Sequence, residues 1–135
     1  MSSLPAAATN ALAHGLALNR VLFGARFLLQ PTAAGPTWIG PRRARNTATQ
    51  IFVRALGARD LGLGLGALAS LRRPDPQEAR RWMLAHALAD GTDLAATLAA
   101  RGKLPGKPAR IATIVAGAST VIAAWSAAAL GRTGS

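Results

Sequence analysis

The chain has 135 residues, sixteen basic and five acidic, for a formal charge of +11; half of them are apolar, yet aromatics make up only 4%. That length allows one domain and little more, and a sequence without cysteine excludes disulfides, thiolate chemistry and Cys-based metal sites. Ala dominates the apolar half and fourteen Gly stand beside it, small residues of the kind that let membrane helices approach closely, although mean hydropathy is only +0.24. Only Lys103 and Lys107 among the basic residues are Lys. Most of the basic residues fall between apolar segments, where lipid head groups sit, so no nucleic-acid partner is expected.

The first segment runs from about Pro5 to Gln30. Pro5 suits a first helical turn, Ser3 is a candidate cap, and Pro31 ends the helix. No basic residue precedes its apolar run, so a cleavable signal is not expected and the helix is retained. It carries His14, Asn19, Arg20 and Arg26. His14 reads as an interfacial histidine. Arg26 can snorkel to the interface; Arg20 lies deeper and is harder to explain that way.

Three prolines and two glycines between Pro31 and Arg45 predict a loop of fixed turns, with Trp38 as an interfacial anchor and Arg42, Arg43 and Arg45 among head groups. Asn46 or Thr47 can cap the second segment. That segment, Gln50 to Leu71, holds Arg54, Arg59 and Asp60 among apolar and small residues. Roughly 20 residues at about 1.5 Å each cross a hydrocarbon core of about 30 Å. An unanswered charge there costs at least about 2.5 kcal/mol. The spacing of Gly62, Gly64 and Gly66 superficially resembles a phosphate loop, but no strand precedes it. With Gly57, these glycines predict close helix packing instead.

Asp75-Pro76-Gln77-Glu78 is a strong helix start, with Asp75 as cap, Pro76 at the first helical position and Glu78 completing a capping box. The third segment runs to about Ala100, with Arg80, Arg81 and Trp82 at its interface and His86, Asp90 and Asp93 inside. The short link before it makes the second and third helices antiparallel neighbours. A second link, Gly102 to Lys107, leads to Ile111–Leu130, an apolar run without any charge, and a short tail. The expected fold is all-α: a single integral membrane domain over residues 1–135, a four-helix antiparallel transmembrane bundle with spans at about 8–29, 50–71, 80–100 and 110–130. Seven basic residues flank the first and third connections and five the second connection and tail, which favours both termini outside the cytoplasm.

His86, Asp90 and Asp93 are spaced by four and three residues and therefore share one helix face. Arg59 and Asp60 stand about 100° apart on theirs, so both are not expected to point the same way. The rough symmetry of the link pairs Arg59 with Asp90. One reading is structural: Arg20, Arg26, Arg54 and Arg59 answer Asp60, Asp90 and Asp93 and fix which helices touch. The other is a site, because intramembrane ionisable groups are often functional. In it Asp60, Asp90, Asp93 and His86 are the acid–base candidates, His86 oriented by Asp90. Arg59, Arg20 and Trp82 are the ligand-holding candidates. Metal is not expected: one helix face supplies too few ligands and nearby Arg disfavours a cation. No cofactor is expected either.

At GARDLGLGLGALASLRR and RRWMLAHALADGTDLAATL the chain resembles small, uncharacterised bacterial four-helix membrane proteins of the broad DoxX-like type. Their Gly-x-Arg-Asp-Leu motif corresponds to Gly57, Arg59, Asp60 and Leu61. Their acidic motif closing the third span corresponds to Asp90, Gly91 and Asp93, though this chain has Asp-Gly-Thr-Asp where a simpler Gly-Asp is expected. The resemblance covers roughly residues 50 to 100 and leaves Arg20 and Arg26 outside any pattern. It implies a membrane location, in the bacterial inner membrane as a multi-pass protein, and a shared Arg/Asp interior, with no established activity. The expected function is an accessory or interaction subunit carrying a buried Arg/Asp/His network. The alternative is a small membrane enzyme or binding protein that uses the cluster on a lipophilic substrate. Expected partners are membrane lipids and a larger membrane complex or a homo-oligomer.

Overall fold

The computed structural model describes residues 6–104 and 106–133; the expected cap at Ser3, the start at Pro5, Pro105 and the last two residues of the tail lie outside them. The described residues are all-α, without a strand. Helix α1 spans Ala6–Leu29, α5 Thr47–Leu71, α6 Pro76–Ala100 and α7 Gly106–Thr133; three short helices, α2 Pro31–Ala34, α3 Pro36–Ile39 and α4 Pro41–Ala44, link the first two long ones, and a 3₁₀ turn at Arg101–Lys103 precedes α7.

The segment expected to be a loop of turns is thus helical, in three single turns. Each begins on a proline, Pro31, Pro36 and Pro41. Proline fits the first helical position, but its ring keeps the preceding residue from continuing the helix before it. Gly40, at φ 84°, makes the sharpest break, between α3 and α4.

Helix α5 begins at Thr47, with Asn46 the one of the two expected caps that is used, its side chain accepting from the Thr49 N–H at 3.3 Å. At α6 the Asp75 carboxylate accepts from the N–H groups of Gln77 and Glu78 at 2.9 and 3.0 Å. The expected capping box is not completed; the Glu78 carboxylate instead pairs with Arg73 at 3.2 Å. Among the described residues only Gly106–Arg132 is a helix long and apolar enough to cross a membrane by length and composition. The other three long helices are of similar length but are interrupted by charge: Arg20 and Arg26 in α1, Arg54, Arg59 and Asp60 in α5, Arg80, Arg81, Asp90 and Asp93 in α6.

Glycine sets how closely α1 and α5 approach. A Cβ on Gly57 would lie 2.6 Å from the Leu28 nitrogen and 2.7 Å from the Gly24 carbonyl oxygen, and one on Gly64 would lie 2.8 Å from the Ala17 carbonyl. Positions rise along α1 as their partners fall along α5, so this pair runs in opposite directions. Gly66 leaves room for the Trp82 ring on α6. Gly62, expected to pack closely with the others, faces open space. The core joining the long helices is built from small residues around Leu16 and a fully buried Met83: Ala13 and Ala17 of α1, Ala67 of α5, Ala123 and Ala127 of α7. A second cluster joins Phe27, Ala34 and Val53, with Trp38 packed against it. Large aliphatic and aromatic side chains point outward from all four long helices, among them Leu22, Phe52, Leu88, Ile114 and Val121, each more than 60% exposed.

Candidate functional site

Where α1, α5 and α6 meet, two guanidinium groups and three carboxylates form one chain of ion pairs. Asp90 of α6 pairs with Arg20 of α1. Arg20 also donates to the Asp60 carboxylate of α5 at 2.8 Å. The same Asp60 oxygen accepts from Arg59 Nε at 3.1 Å and from an Arg59 terminal nitrogen at 2.9 Å. Arg59 then reaches α6 again, gripping both oxygens of Asp93 at 3.1 and 2.6 Å. The order is Asp90, Arg20, Asp60, Arg59, Asp93. Burial deepens toward α1: the Arg20 side chain is 6% exposed and Asp90 10%, against 34% for Arg59.

The expected Arg59–Asp90 pair is not formed. The symmetry of the α5–α6 link does bring the two helices together at that level, but the register favours Asp93, and Arg20 occupies Asp90. Arg59 and Asp60 do converge, contrary to the separation their backbone positions suggest. The Arg side chain is long enough to swing over the helix surface onto its neighbour's carboxylate, and a bidentate grip on Asp93 holds it there. Arg26 and Arg54 are exposed and stand outside the network.

His86 is fully buried, and its Nε2–H donates to the Leu63 carbonyl at 3.1 Å, since a carbonyl can only accept. Its Nδ1 has no hydrogen-bond partner. The ring is therefore turned to the α5 backbone and not to Asp90, four residues along its own helix. Trp82 packs its ring on Gly66 and His14 bonds the Asn10 carbonyl at 2.9 Å. Neither joins the ion-pair chain.

A cavity of about 230 Å³ opens onto this network, with Arg20, Asp60, Asp90 and Asp93 among its lining and Phe23, Phe27, Trp38, Ile111 and Val115 supplying apolar wall. Phe23 and Phe27 meet edge to face with centroids 6.1 Å apart. Trp38 is fixed from behind: its Nε1–H donates to the Thr97 hydroxyl at 3.1 Å, and that hydroxyl donates to the Asp93 carbonyl at 2.7 Å. A second cavity of about 240 Å³ lies beside the first and shares Phe27, Trp38 and Asp93 with it. Two polar atoms of the network are buried without a partner, Asp90 Oδ2 and Arg20 Nε. Such atoms are uncommon and costly in proteins.

The structure thus brings together Arg20, Arg59, Asp60, Asp90 and Asp93, and leaves His86 and Trp82 apart from the cavity lining. The aromatic wall escaped sequence reasoning. Its one available signal was the placement of Phe23 and Phe27 on the Arg20-bearing helix. The arrangement can hold a polar head against a charged floor while an apolar body lies among aromatic and aliphatic side chains. Among the described residues no three His, Asp or Glu side chains converge in a metal-holding group; every carboxylate of the network faces a guanidinium instead.

A family model described as a domain of unknown function, DUF4267, matches residues 17–129, and the chain belongs to that family. The match reaches from α1 to α7 and so includes all five members of the ion-pair network. No curated protein and no solved structure matches the chain.

Proposed function

We propose that this member of an uncharacterised helical family is a multi-pass membrane protein that binds a small, mostly apolar molecule in the cavity above the Arg/Asp network. In this reading α1, α5, α6 and α7 form one four-helix antiparallel transmembrane domain. The outward aliphatic side chains on all four support that, since water would penalise each by about 1.5–3 kcal/mol relative to burial, whereas lipid would not. The charges inside α1, α5 and α6 are compatible with a bilayer because each deep one has an answering partner. Kinship with the DoxX-like proteins, through Gly57 to Leu61, belongs to this proposal.

The observation that carries the binding function is the cavity that reaches the ion-pair floor and has aromatic walls. Salt bridges serving only to fix helix contacts need no such opening. The chain lacks cysteine, so Ser119→Cys, on the cavity lining, and Ala128→Cys, on the exposed face of α7, each introduce one thiol. In native membranes a small neutral thiosulfonate should modify both. A lipophilic extract of the same membranes should protect Ser119→Cys and leave Ala128→Cys unprotected. Equal protection of the two, or none, sinks the reading.

The accessory-subunit reading stands second, on the exposed Ile114 and Val121 of α7. Its small residues Ala116, Ala123 and Ala127 face inward instead. A partner chain would therefore meet large aliphatic side chains, which suit lipid equally well.

A further inference from the structure

Resting on the binding function just proposed, we propose further that the cavity selects a cation: an amphiphilic amine or other organic ammonium with an aromatic or alicyclic body. Three carboxylates and two guanidinium groups leave the network one negative charge in excess, and the excess lies at its buried end. Asp60 is met by both arginines; of the two end carboxylates, each facing one arginine among the described residues, Asp93 is gripped through both oxygens by Arg59, whereas Asp90 meets Arg20 through one oxygen. Asp90 is buried and lines the cavity, and its Oδ2, which has almost no accessible surface of its own, has no partner; a turn of the carboxyl about its soft terminal torsion brings that oxygen to a ligand. A carboxylate oxygen accepts hydrogen bonds and attracts positive charge, and an ammonium N–H satisfies both demands. Arg26 also lines the cavity, but it is exposed, where solvent and head groups screen it.

The walls suit the same ligand. Phe23, Phe27 and Trp38 present π-systems, whose negative faces attract organic ammonium ions. A dry cavity of about 150 Å³ holds a benzene, so about 230 Å³ accommodates a ring with a short arm. A protonated Asp90 is the competing way to remove the excess charge, and in that state an amine gains nothing over a neutral hydroxyl.

The test is a matched series of 3-phenylpropylamine, 3-phenylpropan-1-ol and 3-phenylpropanoate, titrated calorimetrically into the full-length protein in lipid nanodiscs, with empty nanodiscs subtracted. The amine should bind at least about tenfold tighter than the alcohol, and the carboxylate most weakly. Asp90→Asn keeps an oxygen for Arg20 and removes the excess charge; it should bring amine and alcohol within about threefold of each other. The wild-type series stands by itself if that variant fails to fold. Binding of the alcohol as tight as the amine, or tighter binding of the carboxylate, overturns the cation selectivity and leaves the binding function standing. If none of the three binds, and the membrane extract also fails to protect Ser119→Cys, both fall.

Discussion

Arg20 is the side chain whose removal should be felt most. It is 6% exposed, gives Asp90 its only guanidinium partner, and shares Asp60 with Arg59. Arg20→Met keeps much of the length and apolar stem but leaves Asp90 as a buried, unanswered carboxylate. Breaking a buried pair from one side costs about 3–5 kcal/mol. Most of that cost is the stranded charge, because Asp60 keeps two contacts from Arg59. Removing the stranded charge should therefore recover stability: the double variant Arg20→Met/Asp90→Asn should be more stable than Arg20→Met alone by about 1–3 kcal/mol, a coupling typical of residues in one network. Arg59→Met should cost less, since Asp60 retains Arg20 and the Asp93 it strands is 18% exposed, less deeply buried than Asp90. Thermal midpoints of the detergent-solubilised variants by fluorescence-detected gel filtration give the order: wild type, then Arg59→Met and the double variant, then Arg20→Met. A double variant at or below Arg20→Met would refute the claim that Asp90 depends on Arg20.

Gly57→Ala should destabilise by about 1–3 kcal/mol, because the added methyl meets backbone of α1 that cannot give way. Gly62→Ala, facing open space, should be neutral or stabilise by up to about 1 kcal/mol through helix propensity; the reverse order by the same melting assay would mean that the α1–α5 interface is mis-assigned. Trp38→Phe loses one hydrogen bond to Thr97 and should cost about 1 kcal/mol, whereas a loss above about 3 kcal/mol in a chemical-denaturation series would give the short-helix segment a larger structural role. Arg43 donates to the Lys103 carbonyl at 2.8 Å, which joins α4 to the α6–α7 link, and the two connections carry Arg42, Arg43, Arg45, Arg101, Lys103, Lys107 and Arg110. Periplasmic-phosphatase and green-fluorescent-protein fusions at the C-terminus should report that terminus outside the cytoplasm, the side the excess of basic residues in the first and third connections favours; a fluorescent, phosphatase-negative terminus would reverse the orientation.

The helix starts were legible because they depend on local chemistry. Asn46 and Asp75 cap where side-chain oxygens can reach N–H groups two or three residues on, whatever the rest of the chain does. The shared face of Asp90 and Asp93 on α6 was legible from their spacing; the Arg59–Asp60 contact was not, because it depends on how the long Arg59 side chain bends over the helix surface to reach both Asp60 and Asp93. Nor was partner choice. Which carboxylate Arg20 reaches depends on how far α1 slides along α5, and that is set by Gly24, Gly57 and Gly64 together with three proline-started helical turns. A one-turn shift moves a side chain about 5.4 Å, enough to exchange Asp90 for Asp93. Glu78 illustrates the limit at a helix start, where the spacing suited a capping box but Arg73 offered a charged partner. The cavity was least legible, since its walls come from α1, the α3 segment and α7, and no spacing along one helix announces them.

The most direct test of the binding function is native mass spectrometry of the protein extracted gently from its own membrane, wild type beside Ser119→Phe, which fills the cavity from its lining. Occupancy should appear as a small mass retained on the wild-type chain and lost or much reduced in Ser119→Phe, with the ion-pair network and oligomeric state unchanged between them. A wild-type chain that carries no small mass, or carries the same mass with the cavity filled, contradicts the binding function. A stoichiometric second polypeptide in its place would turn the outward faces of the helices into the site that matters.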